Sequence, residues 1–263
     1  ISQLLHGLLL LFAEQDKDIL IRAWDALNAV TRTLDSAQQI AHVSDVRDSV
    51  KFASMNLQGS ELPGFCLPKG IAPLLPVFRE GILNGLPEEK ESAAQGLGEV
   101  IALTCPSSLQ PSVVHITGPL IRILGDRFNA GVKAAVLETL AILLMKVGIM
   151  LKQFLPQLQT TFLKALNDPN RAVRMKAGIA VGELIKIHPK PDPLFTEMHN
   201  GIKNADDSQV RETMLQALRS VVNSNGDKIS EIMKKQIYAT LISMLNYSED
   251  LTRLGVAGCL GEF

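Results

Sequence analysis

The sequence is poor in aromatic residues and has almost no net charge. Phe, Trp and Tyr make up 5% of the 263 residues, while the hydrophobic residues together reach 46%. Because strands are enriched in aromatic and β-branched residues, this balance favours helices packed on helices. The formal net charge is −1, so no bulk basic field predicts binding to DNA. A nucleic-acid contact would need a local basic patch.

No CxxC pair and no signal-peptide pattern are visible in the sequence. Cys66, Cys105 and Cys259 lie far apart without a CxxC spacing, which indicates free thiols in a reducing compartment and therefore a cytoplasmic location. The chain opens without a Met or a cleavage site, and it ends inside a helical pattern, so we expect a piece of a longer protein. The run Leu8–Phe12 is too short to cross a bilayer, and no membrane partner is expected.

Motifs of the common enzyme classes are missing as well. The histidines are scattered, with no HExxH and no Cys/His cluster, so no metal site is predicted. The Gly96–Gly98 stretch resembles part of a nucleotide loop, but no predicted strand precedes it. Paired acids such as Glu88 and Glu89 fall in loops, where helix capping accounts for them. We therefore predict a protein that is not an enzyme and that holds no cofactor.

What recurs instead is a stripe of small and apolar residues, at offsets 0, 4, 7, 8 and 11 along one helix face. One copy consists of Val173, Ala177, Ala180, Val181 and Leu184. The fourth positions of the five stripes are Leu97, Leu140, Val181, Leu218 and Leu260. Their spacings are 43, 41, 37 and 42 residues. A period near 40 residues built from helix pairs is typical of HEAT or armadillo arrays.

A basic residue follows the first position of every stripe. These residues are Lys90, Lys133, Arg174, Arg211 and Arg253. The preceding loops each hold an acid, namely Glu88, Asp126, Asp168, Asp207 and Asp250. We predict that each basic residue faces the loop acid of the neighbouring unit and so forms a structural ladder, which favours HEAT over armadillo repeats. A partly solvated ion pair contributes only about 0–1 kcal/mol, so apolar stacking is expected to hold the array together.

The predicted fold class is all-α, a right-handed α-solenoid of HEAT repeats with about six antiparallel helix pairs. We expect N-terminal HEAT helices over residues 1–57, an irregular insertion over 58–69 and regular HEAT repeats over 70–263. In the first part, Asp18 is expected to cap one helix, and another helix is expected over about residues 36–56. Prolines are expected near the starts of the first helices of the regular pairs: Pro73, Pro119, Pro156 and Pro193.

Function is therefore expected on the surface, where two groups of basic residues stand out. Arg122 lies opposite the inward stripe of its helix, and Arg127 and Arg171 extend a basic track near the same loops. The other candidate patch consists of Lys186, Lys190, Lys234 and Lys235. Ordinary solvent exposure alone accounts for such residues in most proteins.

Three stretches resemble a known family: Gly64–Pro76, Ile116–Arg122 and Asp168–Arg174. They resemble the C-terminal part of the giant HEAT-repeat translational activators of general amino-acid control, and the resemblance covers essentially the whole chain. It implies an adaptor without catalytic residues that associates with ribosomes through the full-length protein. It also implies activation, during amino-acid starvation, of the kinase that phosphorylates the alpha subunit of translation initiation factor two.

The resemblance further implies a surface that docks the RWD domain of this kinase, and of other RWD-containing proteins, through an arginine. By motif similarity this arginine corresponds to Arg122, with Arg171 as the second choice and Arg127 beside them. The alternative is a ribosome- or RNA-contacting HEAT rod that uses Lys186, Lys190 and their neighbours without direct kinase docking. Salt separates the two, since binding to phosphates weakens steeply as salt is added.

Overall fold

The computed structural model describes residues 1–57, 61–124 and 128–262. Within these ranges the chain folds into fifteen α-helices with short 3-10 segments, and none of the described residues belongs to a strand. The helices form two compact units, unit 1 (Ile1–Met150) and unit 2 (Leu151–Phe263). The all-α class predicted from the stripes is confirmed. The boundaries predicted at residues 57 and 69 stay a prediction.

Unit 1 is built from two layers of helices. Its helices are α1 (Ser2–Leu10), α2 (Lys17–Thr33), α3 (Ser36–Ala41), α4 (Val43–Ser54), α5 (Leu75–Asn84), α6 (Pro87–Ala102), α7 (Pro106–Leu109), α8 (Val113–Ile123) and α9 (Ala130–Val147). Helix α5 contacts α3 and α8 in one layer, and α6 contacts α4 and α9 in the other. The pairs α5/α6 and α8/α9 form two successive hairpins, because their stripes bury Leu97 and Leu140 between the layers.

Helix α9 opens the most apolar stretch of the chain. Residues Ala130–Ala165 are long and apolar enough to span a membrane, yet 61% of the most apolar window is buried inside the protein. Across the contact between α6 and α9, the Thr139 hydroxyl donates a hydrogen bond of 2.7 Å to the Ala94 carbonyl. Packing in the core therefore accounts for the apolar composition of α9.

Two details of the first helices differ from the predictions. Asp16, not Asp18, caps α2, and its carboxylate accepts two backbone N–H hydrogen bonds of the first turn, at 2.8 and 3.2 Å. The single helix predicted over residues 36–56 is instead α3 followed by α4. His42 lies between them with φ −93° and ψ 4°, so the helical backbone is interrupted there.

The segment between α4 and α5 is irregular from Glu61 onward, but it is packed into unit 1. Its apolar residues Leu62, Phe65, Ile71 and Leu74 are fully buried. The ring of Phe12 contacts Phe65 edge-on at 5.6 Å, and Gly64 lies so close that a Cβ there would be 2.3 Å from the Phe12 ring. The Trp24 indole N–H donates to two carbonyls at residues 69 and 70. Residues 58–60 of the predicted insertion lie outside the described residues.

Unit 2 consists of three hairpins. Its helices are α10 (Leu155–Ala165), α11 (Arg171–Ile187), α12 (Asp192–Asn204), α13 (Ser208–Asn225), α14 (Glu231–Met244) and α15 (Asp250–Leu260). Helices α11, α13 and α15 pack side by side, and each pairs with the helix that precedes it. The stripe of α11 is fully buried along its length, as the sequence pattern predicts.

The predicted ladder residues bind carbonyl groups more than carboxylates. Arg174 is 2% exposed, and its guanidinium donates to the carbonyls of Asp168 and Pro169, both at 2.9 Å. It also reaches the next hairpin through the Thr213 hydroxyl at 3.2 Å. Lys90 makes the equivalent contact in unit 1, since its ammonium donates to two carbonyls at the end of α5, at 3.0 and 2.7 Å. Carbonyls at the end of α5 lack helical donors and carry partial negative charge, which explains the Lys90 contact. The acceptors of Arg174 are instead carbonyls of the turn before α11.

The remaining ladder positions vary. Arg211 donates to the Ala205 carbonyl and lies 3.5 Å from the carboxylate of Glu249, an acid of the next hairpin. This contact is of the predicted kind, although the predicted acid was Asp250. Asp250 instead pairs with Arg253 of its own helix. Lys133 is half-buried on α9. Lys90, Arg174 and Arg211 therefore fasten the turn of their own hairpin, and Arg174 and Arg211 also contact the next hairpin.

Candidate partner-binding surface

Arg122 lies in the last turn of α8, and its side chain is exposed. The opposite side of α8 buries Val113, Ile116 and Leu120, as the predicted inward stripe requires, and Leu124 is half-buried just beyond the helix. A cation in the last turn of a helix interacts favourably with the helix dipole, but this effect is small at the surface. The fold therefore leaves the Arg122 guanidinium available to a partner.

His115 and Pro119 share the exposed side of α8 with Arg122. Spacings of four and seven residues place the three within a sector of about 60°. Pro119 lies inside the helix rather than near its start, where the sequence pattern predicted it. Proline has no N–H, so the carbonyl of His115 loses its helical donor and remains an acceptor on this side of α8.

The backbone of α8 is open to close approach at Gly118. A Cβ added there would meet nothing within 4 Å. The neighbouring Val114 is 53% exposed and gives this side an apolar edge. We refer to this side of the helix as the α8 face, which consists of the exposed Val114, His115, Gly118 and Arg122 and the half-buried Pro119. Three turns of one helix thus carry a basic group, a carbonyl acceptor, an apolar edge and an accessible backbone.

A groove between α5 and α8 adjoins the α8 face. Its volume is about 390 Å³, and its lining is mainly apolar, with Leu75 and Pro76 on one wall and Ile116 on the other. His115 and Pro119 belong to both the groove and the α8 face, so the two features are continuous. A partner that contacts Arg122 can therefore place an apolar side chain in the groove.

The rim of the groove carries a pair of opposite charges on α5. Arg79 is exposed, and the neighbouring Glu80 accepts hydrogen bonds from Ser36 Oγ and Asn84 Nδ2, both at 2.7 Å. These two hydrogen bonds lower the pKa of Glu80, so its carboxylate stays ionised at neutral pH. Sequence reasoning missed this groove, because α5 and α8 become neighbours only when the hairpins stack.

The other predicted docking residues are Arg127 and Arg171, and the described part of unit 1 contains neither of them. Arg127 lies outside the described residues. Arg171 is the first residue of α11 in unit 2, where it is exposed and lies 3.5 Å from the carboxylate of Glu212. The basic track through Arg122, Arg127 and Arg171 therefore stays a prediction.

The lysine patch belongs to unit 2 and is partly neutralised. Lys186 and Lys234 each pair with a glutamate three residues earlier on the same helix, at 2.7 and 2.9 Å. Lys190 and Lys235 are exposed. Two local ion pairs reduce the positive charge that this patch offers to phosphate groups.

Comparison with known proteins shows which family the chain belongs to. Family models described as stalled ribosome sensor GCN1-like HEAT repeats match residues 1–69 and 192–263, and a HEAT-repeat model matches residues 158–188. Stalled ribosome sensor GCN1 of Mus musculus is 55% identical over 263 residues, which is 100% of this chain and 10% of that protein. The chain belongs to the GCN1 family.

A more distant GCN1 protein, the eIF-2-alpha kinase activator GCN1 of Saccharomyces cerevisiae, is 34% identical over 250 residues. That match covers 95% of this chain and 9% of the yeast protein, so the chain spans about a tenth of the length of its GCN1 relatives. The α8 face lies between the two ranges that the GCN1-like models match.

Among solved structures, the Kap95:Nup1 complex has a TM-score of 0.61 to this GCN1-family chain at 14% identity. The match covers 100% of this chain and 34% of the other. At this identity the likeness concerns the fold alone, and it agrees with stacked helical hairpins.

Proposed function

We propose that this segment is a non-enzymatic HEAT scaffold that docks the RWD domain of an eIF-2-alpha kinase on the α8 face. Within a full-length GCN1 protein, the segment would help to activate that kinase on stalled ribosomes during amino-acid starvation. This role places the segment in the cytoplasm. The names of the relatives, a stalled ribosome sensor and an eIF-2-alpha kinase activator, support this assignment.

The observation that carries the proposal is the set of features that surround Arg122. Its guanidinium is exposed and adjoins an open helix backbone at Gly118 and the groove between α5 and α8. An arginine offers a planar pair of N–H donors that matches a carboxylate, so an acidic side chain of the RWD domain is the expected contact. An apolar side chain of the domain would fill the groove beside it, giving a central anchor with an apolar surround.

The alternative function, contact with ribosomal RNA through the lysine patch, has weaker support. Two of its four lysines already pair with glutamates. Binding to RNA phosphates would weaken by orders of magnitude between low and moderate salt, whereas binding to a domain through one arginine and an apolar groove would weaken much less.

The experiment is to measure the affinity of the purified chain for an isolated RWD domain over a salt series. Arg122→Ala is the test variant, and Arg32→Ala is its matched control. Arg32 is also an exposed arginine in the last turn of a unit 1 helix, α2. We expect binding that survives moderate salt and that only Arg122→Ala weakens. Binding that both variants weaken equally, or that moderate salt abolishes, would contradict the proposal.

A further inference from the structure

Two cysteines that are 39 positions apart in the sequence meet in unit 1 (105 − 66 = 39). Cys66 ends the 3-10 turn Pro63–Cys66, and Cys105 is the N-cap of α7. The carboxylate of Glu61 lies beside them, and the three ligand atoms are all within 4.8 Å of one another. All three cysteines of the chain, including the distant Cys259, are free thiols.

The backbone around this cluster is held by two hydrogen bonds to backbone carbonyls, and the Ser108 hydroxyl that makes one of them also lies 3.6 Å from the Cys105 sulfur. The Leu62 N–H donates to the Leu103 carbonyl at 2.8 Å, and the Ser108 hydroxyl donates to the Cys66 carbonyl at 3.0 Å. These bonds hold the segment before α5 against the junction of α6 and α7. The three side chains therefore converge because two rigid pieces of chain bring them together.

We propose that Glu61, Cys66 and Cys105 form a binding site for Zn²⁺. Two sulfur ligands select a borderline-soft cation over Mg²⁺ or Ca²⁺, which prefer oxygen. Zinc–sulfur bonds of about 2.3 Å at tetrahedral angles separate two sulfur ligands by about 3.8 Å. Ligand atoms within 4.8 Å of one another can reach this geometry with shifts of about 1 Å. Three protein ligands leave the fourth position to water.

The charges around the site balance when zinc is bound. Two thiolates and one carboxylate carry three negative charges, of which the dication neutralises two. The third is matched by the ammonium of Lys146, which lies 3.2 Å from the Glu61 carboxylate. The Lys146 side chain is 24% exposed, so this positive charge is held near the cluster rather than in bulk water.

The metal-free thiol of Cys66 is poorly suited to oxidation. Burial, together with the hydrogen bond to Cys105, raises the pKa of Cys66 to about 12, so this side chain is a protonated thiol at neutral pH. Peroxides and disulfides react with the thiolate, which is scarce at Cys66. A bound metal ion displaces the thiol proton directly, so metal binding does not need a pre-formed thiolate.

A metal ion at this site would link the packed segment between α4 and α5 to the start of α7. These two parts of the chain are distant in the sequence. A ligand that binds only the folded state stabilises it by mass action. We therefore expect Zn²⁺ to raise the melting temperature of the reduced chain by several degrees. A chelator should reverse the effect.

Cobalt serves as the spectroscopic probe for the test. Under reducing conditions, one Co²⁺ per chain should give thiolate charge-transfer bands that Zn²⁺ removes. Cys66→Ser and Cys105→Ser should each abolish these bands, while Cys259→Ser, at a buried thiol of unit 2, should keep them. Glu61→Gln should weaken binding but retain the bands, because both sulfur ligands remain. Bands that persist in either Cys66→Ser or Cys105→Ser would overturn the proposal.

A second measurement on the wild-type chain guards against variants that fail to fold. Alkylation of Cys66 and Cys105, followed peptide by peptide, should slow when Zn²⁺ is added and recover when it is chelated. Alkylation rates that Zn²⁺ leaves unchanged would overturn the proposal. The appearance of a Cys66–Cys105 disulfide under air, with no metal binding, would also overturn it.

Discussion

Two arginines of this chain lie in opposite surroundings. Arg174 is buried at the junction of α11 and α13 in unit 2, and Arg122 is exposed on the α8 face in unit 1. Arg174 at the junction is 2% exposed, and carbonyls of its own turn and the hydroxyl of Thr213 surround its guanidinium. Arg122 on the α8 face is exposed and has open backbone and an apolar groove beside it. Both lie on helices of HEAT-type hairpins, so the repeat pattern alone does not distinguish them.

The contrast separates residues that hold the array from residues that are available to a partner. A buried guanidinium must find acceptors within the fold, because an unpaired buried charge is very costly. Once its N–H groups are used in this way, they cannot recognise another protein. An exposed guanidinium keeps its donors, and only its neighbours decide whether a partner can reach it. Stability measurements and binding measurements should therefore respond to different arginines.

The largest expected effect is the loss of Arg174. Arg174→Ala removes several hydrogen bonds of a buried cation and leaves carbonyls at the end of the preceding turn without a donor. We expect the free energy of unfolding to fall by about 3 kcal/mol, measured by urea denaturation. Arg174→Lys should recover only part of this, since an ammonium cannot reproduce the planar fork. An unchanged unfolding midpoint for Arg174→Ala would show that this buried arginine does not stabilise the array.

Arg211 should matter less than Arg174, although it occupies the matching position one hairpin later. Its Nε is buried without a hydrogen-bond partner, and its distance to the half-exposed Glu249 carboxylate is 3.5 Å. We expect Arg211→Ala to cost about 1–2 kcal/mol in the same denaturation experiment. A cost equal to that of Arg174→Ala would mean that position in the repeat, rather than the hydrogen bonds, sets the contribution.

Gly118→Ala tests the α8 face without touching a charge. A Cβ at Gly118 meets nothing within 4 Å apart from its chain neighbours. The ring of Pro119 disfavours a helical residue with a Cβ before it, which offsets the gain in helix propensity of about 0.5–1 kcal/mol, so we expect little net change in stability. The added methyl group should nevertheless weaken RWD binding where a partner approaches the backbone closely. Gly7→Ala in α1 is the control, because it is also an exposed helical glycine with open space. Equal binding by both variants would show that Gly118 is not in the contact.

The smallest effect concerns two histidines of unit 2. Burial lowers the pKa of His188 and of His199, whose Nε2 lies 2.6 Å from the Thr240 hydroxyl. On acidification the unfolded chain therefore binds protons first, near its ordinary pKa of about 6.5. The stability that these neutral rings contribute is fully present above that pH and is lost as the pH falls below it. His199→Gln should reduce the loss of stability between about pH 7.5 and about pH 5.5.

The regular part of this fold could be predicted well from the sequence. The buried face of a helix repeats at a fixed spacing, so each stripe indicates which side of its helix packs into the core. The partners of the ladder residues could not be predicted, since a loop acid and a backbone carbonyl both attract a cation. The carbonyls were the closer acceptors at Arg174 and Lys90. The exposure of Arg122 followed from its own helix. The groove beside Arg122 could not be predicted from that helix, because α5 and α8 form it together.

The α8 face is tested most directly by measuring RWD binding and unfolding on the same two variants, Arg122→Ala and Arg174→Ala. Arg122→Ala should unfold within about 0.5 kcal/mol of the wild type and lose about 2 kcal/mol or more of RWD binding. Arg122→Lys should restore binding only in part, because it keeps the charge but not the planar fork. Arg174→Ala should lose more stability than RWD affinity. The account is contradicted if Arg122→Ala binds like the wild type, or if it unfolds easily while Arg174→Ala does not.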